Sequence, residues 1–274
     1  MEHKQLSNGA AMPMLGLGTS ALRGAACRRA VRRALALGYA HLDTAESYGN
    51  EADIGAAIAP CKREQLFLTS KVWRERPLTH DDVIAACHGS LRRLGVERLD
   101  LYLIHWPNRR TAYRAVFEAF ARLLDEGLIR ALGVSNFTAA HLDETLPLCD
   151  ELGLKVAVNQ VEFHVGLYQE ALLARCDRHG IAVTAYSPLR KGDLGHPTLA
   201  RLGARYGKTP AQVALRWLLQ RGAAAIPKAG RPEHQAANLD VFDFALAPDE
   251  LRQLDALGAA QRLVRPAWAE FDAD

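Results

Sequence analysis

The stretch His41-Leu42-Asp43-Thr44-Ala45-Glu46-Ser47-Tyr48-Gly49-Asn50 contains the structural unit around which the rest of the chain is organised. A short apolar strand ends in the carboxylate of Asp43, and a polar loop then carries Tyr48. Gly49 and Asn50 follow as a turn residue and a helix cap, so the next segment is predicted to be helical. The unit is a strand, a loop with reactive side chains, and a helix.

The same unit repeats along the chain from Leu15 onward. Each apolar, β-prone run ends in a polar residue, and amphipathic helical segments lie between the runs. The eight predicted strands are residues 15–18, 40–43, 66–71, 99–105, 129–136, 156–160, 181–187 and 223–228. Strict alternation predicts parallel strands joined by right-handed crossovers. Eight such units in about 250 residues match a (β/α)8 TIM barrel.

Both ends of the chain add elements to the eight units. Residues 4–6 and 11–12 flank an Asn-Gly pair, which predicts an N-terminal β-hairpin. A helix is predicted from Pro248, beyond the eighth unit. The tail, residues 261–274, is expected to fold back over a barrel mouth, with a solvated tail as the alternative. The predicted α/β fold is a single (β/α)8 barrel domain over residues 1–274, with an N-terminal hairpin and a C-terminal helix plus tail.

Composition excludes several classes of protein. The 274 residues are 49% hydrophobic, which is enough for the core of one large α/β domain. A net charge of +3 without a basic-aromatic stripe argues against nucleic-acid binding. The five cysteines are far apart and form no C-x-x-C pair, so neither a disulfide framework nor a metal site is expected. No signal-peptide pattern or membrane-spanning apolar run occurs. We expect a cytoplasmic monomer that acts on a small molecule.

Polar side chains stand at the carboxyl end of nearly every predicted strand. They are Asp43, Lys71, His105, Ser135 with Asn136, Gln160, Tyr186 with Ser187, and Lys228. Singly, each has a structural explanation: His105 as a core histidine, Lys71 as a snorkelling lysine and Asp43 as a helix cap. A barrel brings all strand ends to one mouth, where sites are built. Packing and capping explain the whole set poorly.

The chemistry of the set favours protonation of a carbonyl oxygen. A free tyrosine has a pKa of about 10, and the ammonium of Lys71 is expected to lower the pKa of Tyr48. Asp43 can keep Lys71 charged, and His105 can orient the oxygen by donating a hydrogen bond. The chain has no H-x-H, H-E-x-x-H or G-x-S-x-G motif, which argues against metal hydrolysis and acyl transfer.

A competing pattern lies at the first predicted strand. The segment Gly16-Leu17-Gly18-Thr19-Ser20-Ala21 has the loose form G-x-G-x-x-A, and Asp43 ends the next strand. This spacing is typical of a doubly wound NAD-dependent dehydrogenase. Two features count against this fold. Gly24 intervenes before the helical pattern begins at Ala25, and six further strand-helix units follow with the same sequence pattern. The doubly wound fold stays an alternative to the barrel.

Several segments resemble the aldo-keto reductases, in order and over nearly the whole chain. They are Gly16-Leu17-Gly18-Thr19, His41-Leu42-Asp43-Thr44-Ala45, Tyr48-Gly49-Asn50-Glu51, Thr69-Ser70-Lys71-Val72-Trp73, Leu99-Asp100-Leu101-Tyr102-Leu103-Ile104-His105-Trp106-Pro107, Gly133-Val134-Ser135-Asn136-Phe137, Asn159-Gln160-Val161-Glu162, Ala185-Tyr186-Ser187-Pro188-Leu189 and Ile226-Pro227-Lys228. The resemblance implies a (β/α)8 barrel that transfers hydride from NADPH to an aldehyde or ketone. Tyr48 would be the proton donor, with Asp43 and Lys71 in support and His105 placing the carbonyl.

The resemblance also implies a cofactor cleft. Ser135, Asn136 and Gln160 would hold the nicotinamide carboxamide, and Tyr186 would stack on the nicotinamide ring. Ser187, Pro188 and Leu189 would lie beside the pyrophosphate, and Lys228 would meet the 2′-phosphate. The cofactor-binding residues expected in addition are Gly18, Thr19, Asp43, Arg231, His234 and Asn238.

Three positions depart from the family pattern at the adenosine end of this cleft. Many relatives carry serine, arginine and glutamate where this chain has Ala229, His234 and Ala237. A bidentate, permanently charged guanidinium recognises phosphate better than an imidazole. We therefore expect NADPH to be preferred and NADH to be accepted unusually well, with Lys228 and Arg231 as the remaining cations.

The tail points to one branch of the family and to its substrates. Gln261-Arg262-Leu263-Val264 resembles the bacterial 2,5-diketo-D-gluconate reductases, which implies small dicarbonyls or keto-sugar acids such as 2,5-diketo-D-gluconate and methylglyoxal. The predicted substrate contacts are Tyr48, Trp73, His105 and Trp106, while Trp268 is either a wall of the pocket or a packing aromatic. A non-enzymatic nucleotide-binding regulatory subunit is the alternative from another functional class.

Overall fold

The computed structural model describes residues 1–73, 77–257 and 261–271. A hairpin of strands β1 (His3–Gln5) and β2 (Ala11–Pro13) comes first, as predicted. An eight-stranded sheet then forms from β3 (Gly16–Gly18), β4 (His41–Asp43), β5 (Phe67–Val72), β6 (Leu101–Ile104), β7 (Leu132–Ser135), β8 (Val156–Glu162), β9 (Ala182–Tyr186) and β10 (Ala224–Ala225).

The sheet is a nearly closed parallel barrel. Each strand pairs in parallel with the next strand along the chain, from β3 to β10. Parallel bridges from Leu15 to Ala225 and from Gly18 to Lys228 bring the two edges together. The (β/α)8 prediction is confirmed, and the doubly wound alternative is wrong because an open sheet would leave these edges apart.

The helices fill the crossovers on the outside of the barrel. They are α1 (Gly24–Ala36), α2 (Glu51–Ile58), α3 (His80–Leu94), α4 (Tyr113–Asp125), α5 (Ala139–Glu151), α6 (Glu170–Arg178), α7 (Pro197–Tyr206), α8 (Pro210–Gln220), α9 (Pro232–Leu239) and α10 (Pro248–Asp255). Thr79 caps α3 through a capping box with Asp82, as the sequence Thr-His-Asp-Asp predicts. The crossover from β9 to β10 contains two helices, and Thr209 caps the second of them, α8, with Pro210 at its first position.

Gly16 and Gly18 serve barrel closure. A Cβ on Gly16 would lie 2.8 Å from the ring of His41, and a Cβ on Gly18 would lie 2.5 Å from the carbonyl oxygen of Ile226. Only a residue without a side chain lets the first strand approach its neighbours this closely. The glycine pattern that imitates a dinucleotide turn therefore has a structural explanation in the barrel.

The N-terminal hairpin plugs the end of the barrel opposite the strand carboxyl ends. Leu6 and Met12 of the hairpin region pack in one cluster with Phe67, Leu101 and Val158 inside the barrel. Met12 is fully buried. In the described part of the chain, the open end of the barrel is therefore the mouth formed by the strand carboxyl ends.

The tail lies over that mouth, as expected. The ring of Trp268 contacts the rings of Trp73 and Trp106, with centroids 5.8 and 5.0 Å away. Residues 272–274 of the predicted tail lie outside the described residues. Within the described ranges, no helix combines the length and apolar character needed to cross a membrane.

Candidate active site

One large cavity opens at the carboxyl ends of the barrel strands. Its volume is about 1150 Å³, whereas pockets for drug-sized ligands span roughly 300–1,000 Å³. Predicted site residues that line it are Gly18, Thr19, Asp43, Tyr48, Trp73, His105, Trp106, Ser135, Asn136, Gln160, Tyr186, Ser187, Pro188, Leu189, Lys228, His234 and Asn238. The cavity is large enough for a dinucleotide and a small substrate together.

Asp43 and Lys71 form a buried ion pair at the base of the cavity. The Nζ of Lys71 donates to Asp43 Oδ1 at 2.6 Å and to the carbonyl oxygen of Thr44 at 2.7 Å. Burial would lower the pKa of Lys71, but the charge of Asp43, together with Tyr48, outweighs burial and raises that pKa. Lys71 is therefore a charged ammonium, as its pairing with Asp43 predicts.

Tyr48 lies on a short 3₁₀ turn, Glu46–Tyr48, directly after β4 and its loop. Gly49 ends the turn with φ of 62°, a left-handed conformation that glycine adopts without strain. Asn50 stands before α2 but makes no side-chain cap, contrary to the sequence interpretation. Its amide instead donates to the carbonyl oxygen of Thr19 at 2.9 Å and accepts from the hydroxyl of Thr44 at 2.7 Å. Asn50 thus fixes the two loops that flank Tyr48.

The phenol of Tyr48 stays protonated. Lys71 Nζ lies 5.2 Å from the centre of the Tyr48 ring. Burial raises the pKa of Tyr48 more than the charge of Lys71 lowers it, so the net direction is upward. The expected lowering is therefore wrong as a net effect, because burial is invisible in the sequence. A protonated phenol beside a fixed cation can give up its proton when negative charge develops on a neighbouring oxygen.

His105, directly after β6, faces Tyr48 across the cavity. Their ring centroids are 5.7 Å apart. Burial first, and Lys71 second, hold the pKa of His105 well below its ordinary value, so the imidazole is neutral. The hydroxyl of Ser47 lies 3.5 Å from Nδ1, at the limit of a hydrogen bond. A neutral ring that accepts at Nδ1 presents Nε2–H as a donor to a carbonyl oxygen.

A hydrogen-bonded chain of polar side chains continues from Asp43 along the cavity wall. Gln160 Nε2 donates to Asp43 Oδ2 at 2.7 Å, which leaves the amide oxygen of Gln160 to accept from a ligand. The Tyr186 hydroxyl donates to Asn136 Oδ1 at 2.7 Å, and Ser135 Oγ donates to the carbonyl oxygen of Gln160 at 2.8 Å. Asn136 holds φ of 63°, a left-handed conformation that asparagine accepts at low cost. These contacts fix the groups that were predicted to hold a nicotinamide.

The end of the cavity that is predicted to hold the adenosine part of the cofactor has few fixed cations. Lys228, His234, Ala237 and Asn238 line it. Arg231 is exposed at the N-cap of α9 and is not part of the cavity wall, and its cofactor contact stays a prediction. Lys228 is the one cation from the predicted cofactor set that lines this end of the described cavity.

Three tryptophans form an apolar group beside His105. The rings of Trp73 and His105 meet edge to face with centroids 5.1 Å apart. Trp268 contacts both Trp73 and Trp106, yet 45% of its surface is exposed. The tail tryptophan therefore belongs to the aromatic group at the mouth.

The cavity also contains residues that sequence reasoning missed. Ser47, Lys191 and Val264 line it. Ser47 is the neighbour of Tyr48 and could have been found from that position. Lys191 and Val264 lie in loop and tail, where no periodic pattern signals a wall residue.

Comparison with known proteins supports one family over most of the chain. The model of the Aldo/keto reductase family matches residues 14–198 and 193–259. YtbE of Bacillus subtilis (strain 168), named an uncharacterized oxidoreductase, is 42% identical over 97% of this chain and 96% of its own length.

Solved structures give the same result. A protein provisionally named 2,5-diketo-D-gluconic acid reductase B superimposes with a TM-score of 0.93 at 38% identity, covering 99% of this chain and 97% of its own. A Bombyx mori aldo-keto reductase in complex with NADP superimposes with a TM-score of 0.87 at 33% identity, covering 96% of this chain and 94% of its own.

Proposed function

The chain belongs to the aldo/keto reductase family, an NADP-dependent family of oxidoreductases, and from that premise we propose that it reduces aldehydes and ketones with Tyr48 as the proton donor. The observation that carries the proposal is the arrangement of Tyr48 at one end of the cavity, between the Lys71–Asp43 pair and the neutral ring of His105.

Each of these residues has a distinct task in the proposed reaction. The Nε2–H of His105 donates to the carbonyl oxygen and fixes its position. Tyr48 gives its proton to that oxygen as negative charge develops there, and the phenolate that forms is stabilised by the ammonium of Lys71. Asp43 keeps Lys71 charged and acts through it, without contact to the substrate.

The residues along the cavity fit a nicotinamide dinucleotide. Gln160, Asn136 and Ser135 offer fixed amide and hydroxyl groups for a carboxamide, and the ring of Tyr186 is held by its hydrogen bond to Asn136. A bound NADPH supplies the hydride. The chain's own contribution is to place the carbonyl carbon near this wall and to keep its oxygen on Tyr48 and His105.

The cofactor preference follows from the adenosine end. Lys228 gives a 2′-phosphate one cation, which favours NADPH. His234 stands where many relatives have arginine, and Arg231 lies outside the cavity wall. NADPH is therefore the preferred cofactor in this proposal, and NADH is accepted.

Small dicarbonyls and keto-sugar acids are the proposed substrates. The lining of the cavity includes the polar side chains of Ser20, Ser47 and Tyr48 as well as tryptophans. Polar lining residues suit hydroxyl and second carbonyl groups on a short substrate. The structural relative provisionally named 2,5-diketo-D-gluconic acid reductase B supports 2,5-diketo-D-gluconate and methylglyoxal as the first compounds to test.

The test is a carbonyl panel with both cofactors. NADPH and NADH oxidation are followed with 2,5-diketo-D-gluconate, methylglyoxal and an aromatic aldehyde. Turnover of at least one carbonyl supports the function, and the ranking of kcat/KM identifies the substrate class. Absence of turnover with every carbonyl and both cofactors would contradict it.

The organisation of the protein is part of the proposal. Residues 1–274 act as one catalytic domain, as a monomer in the cytoplasm. Light scattering at micromolar concentration tests the monomer, and a stable dimer would contradict it.

A further inference from the structure

Glu162 is a buried carboxylate at the barrel mouth that the proposed reaction does not use. It ends β8, two residues after Gln160, so strand alternation places both side chains on the same face. Its side chain is fully buried. A buried carboxylate is costly unless it is hydrogen-bonded, so its partners indicate its role.

Two of these partners are consecutive backbone amides of the tail. The N–H of Leu263 donates to Glu162 Oε1 at 2.8 Å, and the N–H of Val264 donates to Oε2 at 3.0 Å. Burial would raise the pKa of Glu162, but hydrogen bonds from His164 and from the two amides leave the pKa below its ordinary value. The carboxylate therefore stays charged while both its oxygens hold the tail.

His164 fixes the position of that carboxylate. Its Nε2 lies 3.1 Å from Glu162 Oε1, and its Nδ1 lies 3.0 Å from the carbonyl oxygen of Val165. Neither Glu162 nor His164 has exposed side-chain surface. The anchor is thus rigid on the barrel side.

The anchored segment also contacts the loop after β9 and lines the cavity. Lys191, in the loop after β9, donates to the carbonyl oxygen of Leu263 at 3.1 Å. Lys191 and Val264 both line the cavity. The segment therefore joins the tail to the loop along the cofactor side.

A second attachment holds the other end of the tail. The carboxylate of Glu270 accepts from the backbone N–H of Arg109 at 3.0 and 3.2 Å. Trp268 lies between the two attachments and packs against Trp73 and Trp106. The tail is therefore a strap across the mouth that is attached on both sides of its aromatic contact.

We propose that Glu162 is a positioning residue whose carboxylate anchors residues 263–264. It thereby holds the tail whose Trp268 forms the outer wall of the substrate pocket with Trp73 and Trp106. The inference rests on the proposed carbonyl reduction. A bulky aromatic carbonyl needs the wall that includes Trp268. A small dicarbonyl held by Tyr48 and His105 does not reach it.

Proteolysis tests the anchor independently of turnover. Glu162→Gln keeps the size of the side chain but replaces one acceptor oxygen with an NH₂ group, which cannot accept an amide N–H. Trypsin cleavage at the Arg262–Leu263 bond, measured by mass spectrometry of peptide 263–274, is expected to accelerate about tenfold or more. Glu118→Gln, the same change at an exposed site on α4, serves as the control and leaves the rate unchanged.

A second variant removes one of the two anchoring hydrogen bonds from the tail side. Val264→Pro deletes the N–H that meets Glu162 Oε2 and leaves the barrel untouched. It is expected to accelerate the same cleavage, so the test holds even if Glu162→Gln fails to fold. Wild-type resistance to trypsin in both variants would overturn the proposal.

Kinetics test the consequence for the substrate. In Glu162→Gln, KM for an aromatic aldehyde should rise about tenfold with kcat within about twofold, while both constants for methylglyoxal stay within about twofold. Equal changes for both substrates would contradict a role in the outer wall. If the wild-type protein reduces no carbonyl, the proposed function fails, and the trypsin result still decides the anchor.

Discussion

The ammonium of Lys71 lies 2.6 Å from the carboxylate of Asp43, and both side chains are buried. The pair sits beneath the ring of Tyr48, the proposed proton donor. Removal of one charge from such a pair leaves the other buried without compensation.

Asp43→Asn is expected to lower the free energy of unfolding by about 3 kcal/mol, because Lys71 loses its counter-charge. Urea unfolding followed by circular dichroism measures the change. Asp125→Asn, at an exposed site at the end of α4, is the control and should stay within about 0.5 kcal/mol of wild type. The double variant Asp43→Asn/Lys71→Met should be more stable than Asp43→Asn alone. A double variant that is less stable would argue against an uncompensated charge as the cause.

His105→Gln is expected to lower kcat/KM about 10²-fold, because one donor to the carbonyl oxygen is displaced. The wild-type imidazole is neutral, since burial and Lys71 lower its pKa. Titration of His105 should therefore not appear in the wild-type profile of kcat/KM against pH. Any change of slope near pH 6.5 should be present in His105→Gln as well. A change of slope that disappears in His105→Gln would mean that His105 titrates in the working range and that its assignment as a neutral donor is wrong.

Stability should fall as the solution is acidified below about pH 6.5. Burial lowers the pKa of His41 below the ordinary histidine value of about 6.5, and burial also lowers the pKa of His105 and His141. Below about pH 6.5 these histidines bind protons in the unfolded chain but stay neutral in the folded protein. The free energy of unfolding therefore decreases as the pH falls, and this decrease fades out above pH 6.5. His41→Gln should reduce the slope of unfolding free energy against pH by up to about 1.4 kcal/mol per unit. An unchanged slope would show that His41 is protonated equally in both states.

The ratio of kcat/KM for NADPH over NADH is expected to lie below roughly four decades, because His234 replaces a bidentate guanidinium. His234→Arg should raise this ratio about tenfold or more. His179→Arg adds the same charge at an exposed site at the end of α6 and should not change the ratio. A wild-type ratio above four decades, or no response to His234→Arg, would contradict the role of this position.

The strands could be predicted because their signal is local. Each of the eight apolar runs overlaps a strand, and the polar residue at its end lies at the mouth, as the geometry of parallel strands requires. Lys71 and Asp43 were therefore paired correctly from sequence position alone. The strand-helix pattern predicts one helix per crossover and so gives no indication of α7, although Pro197 stands at its first turn.

Other features could not be predicted because they depend on burial or on distant contacts. The direction of the Tyr48 pKa shift results from a competition between burial and Lys71, and burial is known only from the fold. Asn50 binds two loops instead of capping a helix, because Thr19 and Thr44 are near it only in three dimensions. Glu162 is separated from its tail partners by about a hundred residues of sequence, so no local pattern indicates the anchor.

The central claim, that Tyr48 donates the proton in carbonyl reduction, is tested most directly by Tyr48→Phe. The variant keeps the ring and removes the phenol, so kcat for a reactive aldehyde should fall about 10²–10⁴-fold, while NADPH binding, measured by fluorescence titration, stays within about twofold of wild type. NADPH oxidation that survives the change undiminished would contradict the assignment. A wild-type protein that binds NADPH and reduces no carbonyl would favour a regulatory nucleotide-binding subunit instead.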